Sequence, residues 1–265
     1  GYSDTELGKT GLESVENFEL LTSNAFFVEK IQNEFNGEKN MGDTVVTTLH
    51  ADLQQAAYDA LGDNKGAVIV MEADTGKILA MVSKPTFDPN EIRTEGESLN
   101  SDEENSPLLN RATNGSYAPG SSFKVVTTLA FMRQNSSYAD YTYDCTGGIT
   151  VGDTTIHCAG GSVHGHEDLE SSLANSCNTS FSNIGLSLNI PEYRETAEDL
   201  LFNESLPSVL DYTKSSFALT EDSSSAEIMM TAMGQGNTMV SPYHMTLITQ
   251  AIANGGTLME PYLVD

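Results

Sequence analysis

The chain has 265 residues, 38% of them hydrophobic, enough for one large domain or two small ones with a buried core. Its 38 Asp and Glu outnumber 12 Lys and Arg, and the resulting charge of -26 repels polyanions, which argues against nucleic acid as a partner. No run of 18 apolar residues occurs, so the stretch carries neither a membrane-spanning helix nor a secretory signal, and any anchor is expected outside it.

Residues 12–40 read as a helical or irregular lead-in that closes in a polar, linker-like Asn/Gly/Glu/Lys cluster, and the main domain is expected over 41–265. The β-branched residues 44–49 predict a short strand, and 51–61 have the spacing of a helix ended by Gly62. GAVIVM and KILAMVS flank EADTG and predict a hairpin in which Gly76 supplies a positive φ. The acidic stretch from Phe87 to Asn105 reads as a loop. Val125, Val126, Leu129 and Met132 predict a helix from Ser121 to Arg133. Further helices are expected at 168–176, 179–188, 193–201, 226–233 and 242–253, the last stopped by Asn254-Gly255-Gly256. Strands early and helices later imply an α+β layer arrangement.

Ser121-Ser122-Phe123-Lys124 follows Pro119-Gly120 and opens a predicted helix, which puts the hydroxyl and the amine on one face. A serine hydroxyl is a weak nucleophile that needs a neighbouring base, and an amine serves once its pKa is lowered. Burial and the positive end of the helix dipole both disfavour the ammonium form of Lys124. The N–H groups at the same helix end can stabilise an oxyanion. Ser-x-x-Lys is a weak pattern by itself, and an ordinary helix cap competes with catalysis as its explanation.

NRATNGSYAPGSSFKVVT resembles the nucleophile segment of class B penicillin-binding proteins, the peptidoglycan D,D-transpeptidases, and in particular the penicillin-binding protein A-like group. TTLHADLQQAAYDAL, GAVIVMEADTGKILAMVSKPTFDPN, HGHEDLESSLANSCNTSF and MGQGNTMVSPYHMTLITQAIANGG are similar to further segments in that family's order, so the resemblance runs from Gly8 to Asp265. The family joins Ser-x-x-Lys to a Ser-x-Asn motif and a Lys-Thr-Gly motif. Three Ser-x-Asn copies occur: Ser98-Leu99-Asn100, Ser176-Cys177-Asn178 and Ser187-Leu188-Asn189. A tight connection between two helices suits the second copy, where Ser176 would pass a proton between Lys124 and a leaving amine while Asn178 holds a substrate amide. Ser98 lies in the acidic loop, and Ser187 to Asn189 falls at a helix end suited to capping.

The resemblance implies a penicillin-binding transpeptidase or serine β-lactamase-like fold, an antiparallel sheet flanked by helices beside a mostly helical subdomain. It implies acyl transfer with Ser121, Lys124 and Ser176 catalytic and Asn178 substrate-binding, no cofactor and no metal. Expected partners are stem peptides ending in D-Ala-D-Ala, β-lactam antibiotics and a cell-wall glycosyltransferase. The expected location is the extracytoplasmic face of the cell membrane, with an N-terminal anchor outside the chain and 1–40 as the remnant of a pedestal or linker. The family's Lys-Thr-Gly strand is expected beyond Asp265, so the final strands of the domain are expected to be missing. The rival reading is a truncated or degenerate module that binds β-lactams or acts as a scaffold without turnover. A β-lactamase is disfavoured, because no carboxylate stands where it would direct a deacylating water.

Lys9-Thr10-Gly11 precedes the other two motifs and leads into residues of helical character, so it does not read as the family's third motif; Gly8 to Glu13 instead resembles the family's Gly-x-x-Gly-Leu-Glu segment, which implies a join between pedestal and catalytic domain. His157, Cys158, His164 and His166 crowd together, but their spacing matches no standard zinc pattern and only one thiol is among them. Two short strands around Gly152-Asp153 would set Cys145 facing Cys158, as a disulfide or as two free thiols. Cys177 reads as a buried packing residue, Gly234-Gln235-Gly236 as a tight backbone turn, and Arg111 as a donor to a buried acid or to loop carbonyls.

Overall fold

The computed structural model describes residues 2–3, 8–21, 35–36 and 42–264, in two compact units: 1–115 with 207–213 and 241–265, and 116–206 with 214–240. The first unit is built on the expected hairpin. Gly66–Met71 and Ile78–Lys84 pair antiparallel, Val68 opposite Val82, and Gly76 closes the turn at φ 82°. A Cβ on Gly76 would stand 2.3 Å from the Glu260 carbonyl oxygen, so the turn needs glycine for space as well as for φ. Strand alternation puts Ile78, Ala80 and Val82 on one face, and Ala80 and Val82 bury against Leu53, Ala57 and Leu61 of the helix Ala51–Leu61. Gln54 brackets Met81, its amide donating to the Met81 carbonyl and accepting from the Met81 N–H, both at 2.8 Å. The helix Pro242–Ala253 also lies against the hairpin, with Gln250 donating to the Ala73 carbonyl.

Residues 44–49 do not form the expected strand. Thr47 makes a single bridge to Val264, while the Thr48 and His50 N–H groups go to the carbonyls of Leu263 and Leu79 respectively, so no ladder propagates along one partner. The stretch 87–105 is not a loop throughout, because Ile92–Ser101 is a helix with no buried residue. Its one face is narrow: Ile92 and Leu99, two turns apart and half-buried, are its only apolar side chains, and the Gly, Ser, Asn and acidic residues around them read as loop. Arg111 is buried and donates to the carbonyls of Ser106 (3.0 Å) and Asn105, the loop-carbonyl role expected of it. Lys9 and Thr10 lie on the strand Gly8–Thr10, paired with Tyr2–Ser3, and helices Gly11–Val15 and Asn17–Leu21 follow. The rest of the expected lead-in, 22–34 and 37–40, and the boundary at Met41 fall outside the described residues.

The second unit is mostly helical, with Lys124–Gln134, Leu169–Ala174, Asn178–Ser187, Ile190–Asp199 and Ser225–Ala232. Two antiparallel ladders accompany them, Thr142–Cys145 with Gly165–Asp168 and Gly148–Val151 with Thr154–His157. The predicted helix 121–133 divides: Gly120–Phe123 is a 3-10 turn and the α-helix proper begins at Lys124. Phe123 is fully buried, edge-on to Phe202 (5.4 Å between ring centroids), stacked on Phe217 (6.2 Å) and tilted against Tyr193 (6.4 Å). Thr127, one turn on, bonds the Tyr193 hydroxyl (2.6 Å) and the Ala232 carbonyl (2.8 Å), tying three helices together. Because so many rings meet Phe123, Phe123→Ala is expected to lower unfolding free energy by about 3–5 kcal/mol in a urea titration. A loss under about 1 kcal/mol would mean that this side chain does not seat the turn.

Cys145 and Cys158 do face one another, with sulfurs 3.7 Å apart, but as free thiols and not as the disulfide.

Candidate active site

The turn carrying Ser121 is set by two glycines brought into backbone contact. Gly120 takes φ 61° and donates its N–H to the Gly234 carbonyl at 2.7 Å; Gly234 takes φ 86°, and a Cβ on it would lie 1.7 Å from the Gly120 oxygen. Only glycine at 234 lets the strands of backbone approach this closely. The Ser122 hydroxyl donates back to the Pro119 carbonyl (2.7 Å), Phe123 points into the core, and Ser121 is left exposed with Lys124 buried behind it.

Ser176 sits between two helices, as its context in the sequence required. The helix Leu169–Ala174 opens on a capping box of Asp168 and Ser171 and closes with the Ser176 N–H on the Leu173 carbonyl (3.0 Å) and the Cys177 N–H on the Ser172 carbonyl (2.9 Å). That pair of bonds is a Schellman closure with serine, at φ 51°, where glycine is usual. A non-glycine residue held there costs on the order of 1–3 kcal/mol and persists only where its surroundings enforce it. The flanks do so. Asn175 donates to the buried Glu167 carboxylate (2.8 Å), Cys177 N-caps the next helix by accepting from the Ser180 N–H (3.4 Å), and the Asn178 amide donates to the His157 carbonyl (3.1 Å).

These elements converge on one nitrogen. Lys124 Nζ lies 3.2 Å from Ser121 Oγ, 2.8 Å from Ser176 Oγ, 2.8 Å from the Ser176 carbonyl and 2.7 Å from Asn178 Oδ1. The lysine is fully inaccessible, and its burial, opposed weakly by the Cys177 and Cys158 thiols, pulls its pKa down to about 8. A neutral amine has two N–H bonds and one lone pair. The Ser176 carbonyl and Asn178 Oδ1 can only accept and so occupy both N–H bonds, which leaves the lone pair to the two hydroxyls. Such an amine can draw a proton from one hydroxyl and hand it to the other.

The other three residues expected to form the site, Ser121, Ser176 and Asn178, therefore lie within hydrogen-bond distance of Lys124, all within the second unit. The other Ser-x-Asn copies do not join them. Ser98 is exposed on the helix Ile92–Ser101 and bonds the Glu95 carbonyl, and Asn189 N-caps Ile190–Asp199 by accepting from the Glu192 N–H (3.1 Å). Sequence reasoning did not find the Gly120–Gly234 contact or the Asn175–Glu167 support. The only trace of the first is a glycine in each of two distant turns; the second leaves none.

A serine on a turn, a buried lysine beside it and a second serine–asparagine pair form an arrangement with the chemistry that acyl transfer through a serine needs, within an α+β fold. The family described as penicillin binding protein transpeptidase domain matches residues 66–265, and the chain belongs to that family. It is 34% identical, over all of its own length and 57% of the relative's, to the peptidoglycan D,D-transpeptidase PbpA of Mycobacterium tuberculosis. Among solved structures it is similar to penicillin-binding protein A of M. tuberculosis captured as a penicillin G acyl-enzyme complex (TM-score 0.86, 31% identity, all of this chain and 64% of that one). It is also similar to the D,D-transpeptidase domain of a peptidoglycan glycosyltransferase from Eggerthella lenta (TM-score 0.85, 30% identity, all of this chain and 63% of that one). The fold is thus the penicillin-binding transpeptidase one expected from the sequence, and the chain spans a little over half the length of the curated relative. Among the described residues no helix is long and apolar enough to cross a membrane.

Proposed function

We infer that the protein is a serine D,D-transpeptidase in which Ser121 attacks the carbonyl of a stem peptide ending in D-Ala-D-Ala. The observation that carries the reading is the single buried amine of Lys124, which touches both the Ser121 and the Ser176 hydroxyls. Lys124 takes the Ser121 proton as Oγ bonds to carbon, Ser176 relays a proton to the departing D-Ala amine, and Asn178 holds the amide of the donor peptide. The acyl group then passes to the amine of a neighbouring stem. On this reading the N–H groups of the turn at Ser121 are the donors that serve the developing oxyanion.

Wall synthesis takes place outside the cytoplasmic membrane, so the same reading puts the protein on that face, with residues 1–40 leading from a pedestal or linker into a transpeptidase domain over 41–265. A penicillin offers Ser121 a strained amide in place of the donor and leaves the serine acylated. The test is labelling by a fluorescent penicillin, resolved on a denaturing gel: the native protein takes up the label and Ser121→Ala does not. Equal labelling of that variant would refute Ser121 as the nucleophile.

A further inference from the structure

Cys145, Cys158, His164 and Cys177 come from four places in the second unit, and their ligand atoms all lie within 4.8 Å of one another. Cys145 ends the strand Thr142–Cys145, Cys158 follows Thr154–His157, His164 precedes Gly165–Asp168, and Cys177 caps Asn178–Ser187. Three of the six pairs stand at close contact, and all six lie within the 4.8 Å. Cys145 Sγ is 3.7 Å from Cys158 Sγ, Cys158 Sγ is 3.8 Å from Cys177 Sγ, and Cys145 Sγ is 3.5 Å from His164 Nδ1. Four ligands placed tetrahedrally around zinc, with Zn–S about 2.3 Å and Zn–N about 2.0–2.1 Å, stand about 3.8 Å apart sulfur to sulfur and about 3.6 Å sulfur to nitrogen.

We propose that these four side chains bind one zinc ion in a closed Cys3His site. A disulfide between Cys145 and Cys158 would use two sulfurs and leave unexplained a third thiol and an imidazole nitrogen at the same spacing. Apolar packing does not account for the cluster either, because an imidazole nitrogen is aimed at a thiol in it. The surroundings suit bound thiolates. The Thr179 hydroxyl donates to Cys145 Sγ (3.2 Å), with Cys177 Sγ at 3.3 Å and Cys158 Sγ at 3.5 Å from the same oxygen, and the Ser180 N–H donates to Cys177. Hydrogen bonds of this kind orient ligands and spread their charge.

In the sequence only Cys158 of the three thiols stands among the crowded histidines. Of those histidines, His157 is exposed and His166 pairs with Asp144 (2.9 Å), so neither is in the cluster. The ion would act through Cys177, the middle residue of Ser176-Cys177-Asn178. It would fasten that connection to the two strand ladders, beside the bond from Asn178 to the His157 carbonyl, and so fix both groups on Lys124 Nζ. The cysteines and His164 are positioning residues for the serine chemistry.

The experiment is elemental analysis of the protein purified under reducing conditions without chelator, together with the absorption spectrum after cobalt replaces zinc. Zinc at about one per chain and intense thiolate-to-cobalt absorption with tetrahedral ligand-field bands are expected, both lost in Cys158→Ser and weakened in His164→Ala. Chelation should lower the melting temperature and slow labelling by fluorescent penicillin, and added zinc should restore both. Ser121→Ala should keep the metal while losing the label, so the zinc site and the assignment of the nucleophile fail or stand separately. Substoichiometric zinc in the native protein with its three thiols reduced, a cobalt spectrum without thiolate character, or an unchanged spectrum in Cys158→Ser would each overturn the site. The cobalt titration of the native protein needs no variant to fold.

Discussion

Lys124→Ala is expected to slow acylation of Ser121 by fluorescent penicillin about 100 to 10,000-fold, the range that a positioned general base contributes. The pH profile separates this role from a purely structural one. With its pKa pulled down by burial to about 8, the amine is neutral, and therefore able to accept the Ser121 proton, in about a tenth of molecules at pH 7. The neutral form is the reactive one, so the rate should rise about ten-fold per pH unit below pH 8 and level off above it. In Lys124→Ala that rise should vanish along with the rate. Lys124→Met keeps most of the buried volume and should lose the rate equally, with a smaller loss of melting temperature. A variant without the lysine that retained the pH-dependent limb would remove Lys124 from the role of base.

Gly234→Ala should be the most damaging substitution of a residue that carries no reactive atom. The new methyl would meet the Gly120 carbonyl at 1.7 Å and the Gly120 carbon at 2.4 Å, both backbone atoms that cannot swing aside. The Gly120 N–H bond to the Gly234 carbonyl must then break and the turn bearing Ser121 must move. Acylation should fall by at least about 100-fold, as when a site donor is displaced. Gly236 is the matched control. It has the same φ of 86°, but its nearest neighbours to a new Cβ are the Thr231 hydroxyl and the Met230 Cβ, at 3.6 and 3.7 Å. Gly236→Ala should therefore cost only the left-handed strain, about 1–2 kcal/mol in denaturant unfolding, and largely spare acylation. Equal loss of acylation in the two variants would show that the contact with Gly120 does not hold the turn.

Where a residue's environment is local, the sequence was a sufficient guide. The hairpin was legible because its apolar residues repeat every second position around a turn that only glycine can make, and the helix 51–61 because its spacing and terminal glycine agree. The helix 92–101 was hard to read for the complementary reason: only Ile92 and Leu99 mark its face, and the polar, acidic residues between them have the composition of a loop. The strand expected at 44–49 failed because a strand depends on a partner, and partners lie elsewhere in the chain.

The candidate site divides along the same line. Ser121 and Lys124 are three residues apart, so helical geometry alone puts them together, and long family-like segments pointed to Ser176 and Asn178. Sequence by itself thus determined the family, the α+β class and the residues to examine. Only the tertiary structure decided that Lys124 is sealed from water, that Ser176 is held in a left-handed conformation to reach it, and that three thiols and an imidazole from four separate elements share one small volume. Burial and convergence are sums over residues remote in the chain, and a linear pattern carries no record of which remote residues will meet.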